Sequence, residues 1–312
     1  MVASAVVFTQ CKNETYQTQT ATETTSAQKE YKYETAPNDP LNARVYTLDN
    51  GLKVYLTDYE DAPRVQTFIA VKAGSKNDPS DATGLAHYLE HMVFKGTSKL
   101  GTQDWEKEKA ELDKIEALYE KHRNTTDPAM RKKIYHQIDS ISGVAATYAV
   151  ANEYDKILGA IGAKGTNAYT SVEQTVYTND IPSNQLERWV ALEAHRFGEL
   201  VPRLFHTELE AVYEEKNRTL DNDGWKVMET LNAAMFPTHQ YGTQTTIGTI
   251  EHLKNPSITE IKKYFDAYYV PNNMAIALSG DIDFDQTIRV IDKHFGKLKQ
   301  TPAPAFTAAQ EQ

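Results

Sequence analysis

His87, Glu90 and His91 concentrate the chemistry of this chain, in the run His87-Tyr88-Leu89-Glu90-His91. Residues four apart on a helix lie on one face, so the two imidazoles can converge on one metal ion. Glu90 stands three residues beyond His87 and leans to the same side. Zinc suits imidazole nitrogen and carboxylate oxygen, and a catalytic zinc keeps one position open for water. A carboxylate beside that water can take its proton. The order is the reverse of the commoner His-Glu-x-x-His. The plainer reading is a helix whose histidines sit at a surface or in a satisfied core. The flanking Leu85, Ala86, Leu89, Met92, Val93 and Phe94 predict a buried helix. Histidine and glutamate are costly there unless paired or metal-bound.

A catalytic zinc takes three protein ligands. The remaining histidines (His122, His136, His195, His206, His239, His252, His294) are scattered and form no second helical pair. His122 and His136 fall in a charged helical stretch and read as surface residues. The single cysteine, Cys11, excludes a cysteine zinc site and any internal disulfide. The better source is the stretch Phe205–Leu220, which carries Glu208, Glu210, Glu214 and Glu215. Glu208, Val212 and Glu215 follow offsets of four and three and share one face. Glu210 and Glu214 fall on another side and read as solvated. Spacing alone marks the pair and does not choose between its members.

The elements that must position these groups follow from pattern. With 312 residues, 40% hydrophobic and 24% charged, the composition is that of a globular protein with a sizeable core. A net charge of -10 argues against a nucleic-acid partner. No apolar run is long enough for a membrane-spanning helix. Residues 2–8 are small and apolar, Cys11 follows, and a polar stretch runs to about Pro37. That order resembles a bacterial lipoprotein start, which would place a lipid on Cys11 and the protein in the cell envelope or periplasm. The absence of Lys or Arg before the apolar patch, and Gln10 where a small residue is usual, depart from it. The alternative is a cytoplasmic protein with a ragged N-terminus. Residues 1–42 therefore read as leader and disordered tether, 43–300 as the folded domain, and 301–312 as a disordered tail.

Within the domain, Asn50-Gly51 predicts a hairpin turn between strands near 45–48 and 52–57. Residues 65–71 predict an interior strand. Asp81 and Thr83 are candidate caps for the motif helix. Residues 102–160 hold two amphipathic helices, with Asp127-Pro128 opening the second. They form an αα-hairpin insertion whose apolar faces pack on each other, with no functional residue evident. Residues 165–177 read as strand, and 184–197, 205–220, 227–235, 259–269 and 284–295 as helices, with a strand at 274–278. The class is α+β, with a mixed, mainly antiparallel sheet packed with helices.

Together these motifs resemble the pitrilysin/insulinase family of zinc metallopeptidases, the inverzincins. The matching residues are His87-Tyr88-Leu89-Glu90-His91, Gly165-Thr166-Asn167-Ala168-Tyr169-Thr170, and Glu208-x-x-x-Val212-x-x-Glu215. Tyr269-x-Pro271-x-Asn273-Met274 and Ser279-Gly280-Asp281 extend the match. The resemblance implies one zinc ion held by His87, His91 and Glu215. It implies Glu90 as general base and Glu208 as a group behind the site that orients a ligand. It implies that Asn167, Ala168, Tyr169 and Thr170 form a strand edge on which a peptide or unfolded-protein substrate lies. The interval from His91 to Glu215 is longer than is usual in the family, and the hairpin insertion accounts for the excess. Family enzymes have two related halves, and this chain resembles only the zinc-bearing one. A second-half homologue or dimer partner would then complete a metalloendopeptidase. The alternative is a non-catalytic peptide-binding or assembly module.

Overall fold

The structure is a computed structural model that describes residues 29–311. Cys11 and the apolar patch before it lie outside the described residues. Seven strands form one sheet in the order β1-β2-β3-β7-β4-β6-β5. They are β1 (Tyr33–Glu34), β2 (Arg44–Thr47), β3 (Lys53–Asp58), β4 (Arg64–Val71), β5 (Lys164–Thr170), β6 (Thr175–Pro182) and β7 (Met274–Gly280). All neighbours pair antiparallel except β3 and β7. The fold is α+β with a mainly antiparallel mixed sheet, as the pattern predicts.

The Asn50-Gly51 turn joins β2 to β3, with the Gly51 N–H donating to the Leu48 carbonyl at 2.8 Å. Alternation sets the faces: Val54 and Leu56 of β3, and Val65, Ile69 and Val71 of β4, are buried, while Tyr55, Gln66 and Phe68 between them are exposed. Strand β7 arrives late in the chain and inserts between β3 and β4, so the N-terminal hairpin is held by the C-terminal part. Order also begins earlier than residue 43. Tyr33 pairs with Tyr46, its ring lies 5.5 Å from the Tyr46 ring, and the Arg44 guanidinium sits 4.5 Å over it. Those aromatic and cation–π contacts hold Tyr33 against the sheet.

The helices are α1 (Leu85–Val93), α2 (Trp105–Arg123), α3 (Pro128–Ala146), α4 (Glu153–Ala160), α5 (Leu186–Arg196) and α6 (Phe205–Leu220). After them come α7 (Asp223–Met235), the short α8 (Gln240–Thr243) and α9 (Ile250–Leu253), then α10 (Ile258–Tyr268) and α11 (Phe284–Phe295). Among the described residues no helix is long and apolar enough to cross a membrane. Helices α2 and α3 are the predicted hairpin, capped by Asp104 and Asp127, which accept from the N–H groups of Lys107 and Met130. The hairpin also docks on the domain. Arg203 donates to Glu108 at 2.6 and 2.8 Å, and Glu120 accepts from Ser257 at 2.6 Å.

His122 corrects the surface reading, since it is only 7% exposed. Leu112, Ile115, Tyr119 and His122 follow steps of three and four, so the histidine belongs to the buried stripe of α2. His136 is exposed. Residues 302–311, part of the stretch expected to be a disordered tail, have no helix or strand but are tied beside α8. Gln240 donates to the Thr307 carbonyl at 3.2 Å, and Thr238 donates to the Gln310 carbonyl at 2.8 Å.

Candidate metal centre

Helix α1 carries His87, Glu90 and His91 and is buried along nearly its whole length. Its N-terminus is not capped by Asp81 or Thr83. Asp78 does this, accepting from the Gly84 N–H at 2.8 Å and the Ala86 N–H at 2.9 Å. The reason is Gly84, whose φ of 85° turns the chain back so that a residue six earlier reaches the helix end. A Cβ at Gly84 would lie 2.3 Å from the Ile247 carbonyl oxygen, so no larger residue fits. Thr83 instead pairs with His252 at 2.7 Å, and Asp81 pairs with Arg123 at 2.6 Å. Burial pushes the Asp78 carboxyl up to about 8, against the pull of the Ala86, Gly84 and Leu85 N–H groups.

Helix α6 brings the distal carboxylates to α1. His87, His91 and Glu215 place one ligand atom each within 4.8 Å of one another. His87 Nε2 lies 3.6 Å and His91 Nε2 3.7 Å from the same Glu215 oxygen. These separations are too long for hydrogen bonds. They approach the ~3.4 Å between two ligands of a tetrahedral zinc with bonds of about 2.1 Å. His87 Nδ1 is buried with no hydrogen-bond partner. Burial, then the neighbouring His91, lowers the His87 pKa to about 3, so the ring is neutral and keeps a lone pair for a metal. The donor set and its spacing fit a zinc ion.

Glu208 occupies the next layer. It faces His91 Nδ1 at 2.8 Å and Lys95 Nζ at 2.5 Å. Burial opposes its ionisation, and the hydrogen bonds from His91 and Lys95 outweigh burial and lower its pKa. Without a metal, burial would lower the His91 pKa, but the Glu208 hydrogen bond and surrounding carboxylates raise it. Glu90 is 7% exposed, and burial raises its pKa despite a 2.6 Å hydrogen bond from the Thr170 hydroxyl. Glu210 and Glu214 are exposed, as their spacing predicts.

His87, Glu90, His91, Lys95, Glu208 and Glu215 line a cavity of about 1160 Å³. Strand β5 borders it with Asn167, Ala168, Tyr169 and Thr170, and it is the last strand of the sheet. The Thr170 side chain is engaged by Glu90, while Asn167 and Tyr169 are exposed. Trp225 and Met228 of α7 also line the cavity. Sequence reasoning missed Asp78, Lys95, Trp225 and Met228. Lys95 had a signal, being a lone cation four residues beyond His91 in an apolar run. Asp78 had none beyond its place before a glycine.

Comparison with known proteins defines the class. The family model for insulinase, peptidase family M16, matches residues 53–121 and 142–248, and the M16 inactive-domain model matches 257–312. The break in the first match falls in the helical insertion. This chain belongs to the insulinase family of peptidases.

Its curated relatives include zinc proteases. It is 27% identical over 265 residues to the zinc protease PqqE of Helicobacter pylori, covering 83% of this chain and 48% of that protein. It is 26% identical over 283 residues to the human insulin-degrading enzyme, covering 87% of this chain and 23% of the enzyme. The first half of the periplasmic protease PqqL from Escherichia coli shares the fold, with a TM-score of 0.66 at 18% identity over 89% of this chain and 51% of that one. The chain thus spans about half or less of the length of these relatives.

Proposed function

We propose that this chain is the zinc-bearing half of a metalloendopeptidase acting on peptides or unfolded protein segments. The observation that carries the reading is the meeting of His87, His91 and Glu215 beside Glu90 in one cavity bordered by a free strand edge. His87, His91 and Glu215 would hold one zinc ion. Bound there, zinc supplies Lewis acidity and a water acidic enough to lose a proton near neutral pH.

Glu90 takes the proton of the attacking water and returns it to the departing amine. The Thr170 hydroxyl holds one Glu90 oxygen and leaves the other for the proton. Burial moves the Glu90 pKa upward, toward the range in which one carboxylate can both accept and return a proton. Glu208 fixes the His91 ring so that Nε2 faces the ligand set. The substrate backbone adds as a strand along residues 167–170 of β5, a mode indifferent to side-chain sequence. Trp225 and Met228 offer an apolar wall of the same cavity.

A periplasmic site of action is supported by the periplasmic PqqL, and a lipid on Cys11 would add an anchor. The mass of the mature N-terminus checks that anchor. The deciding experiment is Glu90→Gln: zinc content by mass spectrometry stays at one per chain, while cleavage of an unfolded casein substrate is lost. Undiminished cleavage by this variant would sink the mechanism, and a wild-type chain that takes up no zinc would sink the metal site.

A second reading is a peptide-binding or assembly module that needs another half for turnover. The half-length coverage of the relatives favours keeping it. Zinc-loaded wild-type chain that binds casein without cutting it would select this reading.

A further inference from the structure

We infer that Thr175 and Tyr269 are positioning residues of this site, whose hydroxyls steady the Thr170 hydroxyl on Glu90 through a chain of buried O–H groups. The inference rests on the reading of this chain as a zinc peptidase. The chain ends at Glu90, which accepts from Thr170 Oγ1 at 2.6 Å. Thr170 Oγ1 lies 3.3 Å from Thr175 Oγ1. The Tyr269 hydroxyl interacts with the Thr175 side chain and stands 2.9 Å from the Tyr177 hydroxyl.

The fold explains why these groups meet. Thr170 ends β5, Thr175 opens β6, and the two are partners across the hairpin. The Ser171 N–H donates to the Gln174 carbonyl at 2.8 Å and closes the turn between them. Facing threonines on paired strands bring their hydroxyls within reach, and branching at Cβ restricts their rotamers. Tyr269 follows α10 and stacks on Phe265 and Phe197, with ring centres 5.1 and 6.2 Å apart. It belongs to the segment matched by the inactive-domain model, residues 257–312, so that segment reaches the site through one hydroxyl.

Packing alone does not call for these hydroxyls. Thr175, Tyr177 and Tyr269 are buried, where valine and phenylalanine have similar shapes and no polar atom to desolvate. Each hydroxyl has one proton to give. Thr170 gives its proton to Glu90, so its oxygen can only accept from Thr175. Thr175 shares its proton between Thr170 and the Ala73 carbonyl, 3.1 Å away. Tyr269 then donates toward Thr175, and Tyr177 toward Tyr269. Run this way, every donor points toward the carboxylate. Aligned donors polarise one another, and the bond they strengthen most is the last, to a charged acceptor. Glu90 is thereby pinned at one oxygen while the other faces the cavity.

The test uses the zinc-loaded full chain and an acetyl-dipeptide hydroxamate. That group chelates zinc and gives a proton to a neighbouring carboxylate, so its binding reports on Glu90 without turnover. Thr175→Val and Tyr269→Phe should each raise the hydroxamate Kd about fivefold, the usual worth of one buried hydrogen bond. In casein cleavage, kcat should fall by a similar factor with KM unchanged. Tyr177→Phe, one step further from Glu90, should have a smaller effect. Thr175→Ser keeps the hydroxyl and should bind as the wild type does. Zinc content should stay at one per chain throughout. Thr67→Val is the control for a purely structural role. Thr67 is buried on the same strand pair, four residues along β4 from the partner of Thr175, and its hydroxyl donates to the Asn179 carbonyl at 3.1 Å. This control should lower the thermal midpoint and leave the hydroxamate Kd unchanged. Equal Kd values for wild type, Thr175→Val and Tyr269→Phe would overturn the inference. So would a loss in Thr67→Val or Thr175→Ser that matches Thr175→Val. A wild-type chain that does not bind the hydroxamate would overturn the peptidase reading itself and this inference with it, which is a distinct outcome.

Discussion

His91 Nδ1 stands 2.8 Å from Glu208 Oε1, across 117 residues of chain, and this contact decides which nitrogen of His91 faces the cavity. The carboxylate accepts from Nδ1 and leaves Nε2 for a metal. The other Glu208 oxygen is held by Lys95 at 2.5 Å, so the acceptor is itself fixed. Glu208→Gln should weaken zinc binding by roughly 10- to 100-fold, the usual effect of losing a ligand-orienting carboxylate. Competition titration with a chromogenic chelator measures it. Glu214→Gln, on the solvated side of α6, should leave zinc affinity unchanged.

Asp78 predicts a pH dependence. Its folded pKa of about 8 lies above the ordinary carboxyl value of 3.8, so the folded state holds a proton that the unfolded state has lost. Its stabilising contribution is therefore complete below about pH 4 and falls as pH rises toward 8. Asp78→Asn keeps the size and removes the titration. In urea unfolding of chelator-treated protein, the wild type should exceed the variant most at low pH, with the gap narrowing through pH 8. A gap that widens with pH would mean that Asp78 is charged in the fold.

How far this centre is legible in sequence differs residue by residue. The pair His87 and His91 is local, and a helical period suffices to place both on one face. The Glu208–Glu215 face of α6 is also local, but its meeting with α1 depends on packing across the insertion, which spacing does not encode. Resemblance to a family supplied that step. Asp78 was missed because a left-handed glycine reverses the chain, and reversal defeats any rule that counts backward from a helix start. His122 was misread although its steps from Tyr119 and Ile115 placed it on the buried stripe. The sheet was legible because each strand alternates, whereas the late insertion of β7 between β3 and β4 is a matter of topology.

Trp225 is 52% exposed on α7, a helix with no buried residue among those described, yet it lines the metal cavity. A side chain so placed contributes little to the fold and is available to a substrate. Trp225→Ala should raise KM for apolar peptides about tenfold, from loss of about 1–2 kcal/mol of aromatic contact. It should leave kcat and the thermal midpoint nearly unchanged. A matched pair of fluorogenic peptides, one apolar and one glycine-rich beside the cleavage point, gives the comparison. An equal effect on both peptides would remove Trp225 from substrate contact.

Arg196 ties the insertion to the site. Its guanidinium lies 4.5 Å from the Tyr154 ring centre, 4.9 Å from Tyr177 and 5.0 Å from Phe94, which follows α1. Glu193 neutralises it, and Tyr154 donates to Glu193 at 2.6 Å. Arg196→Met would remove the cation and leave Glu193 buried without its ionic partner. Breaking one side of such a pair costs about 3–5 kcal/mol, more than the pair itself is worth. The double variant Arg196→Met with Glu193→Gln should therefore be more stable than the single one, by about 1–3 kcal/mol in denaturant midpoint analysis. Equal stabilities would mean that the loss comes from the aromatic stacking of the guanidinium, which neither variant restores.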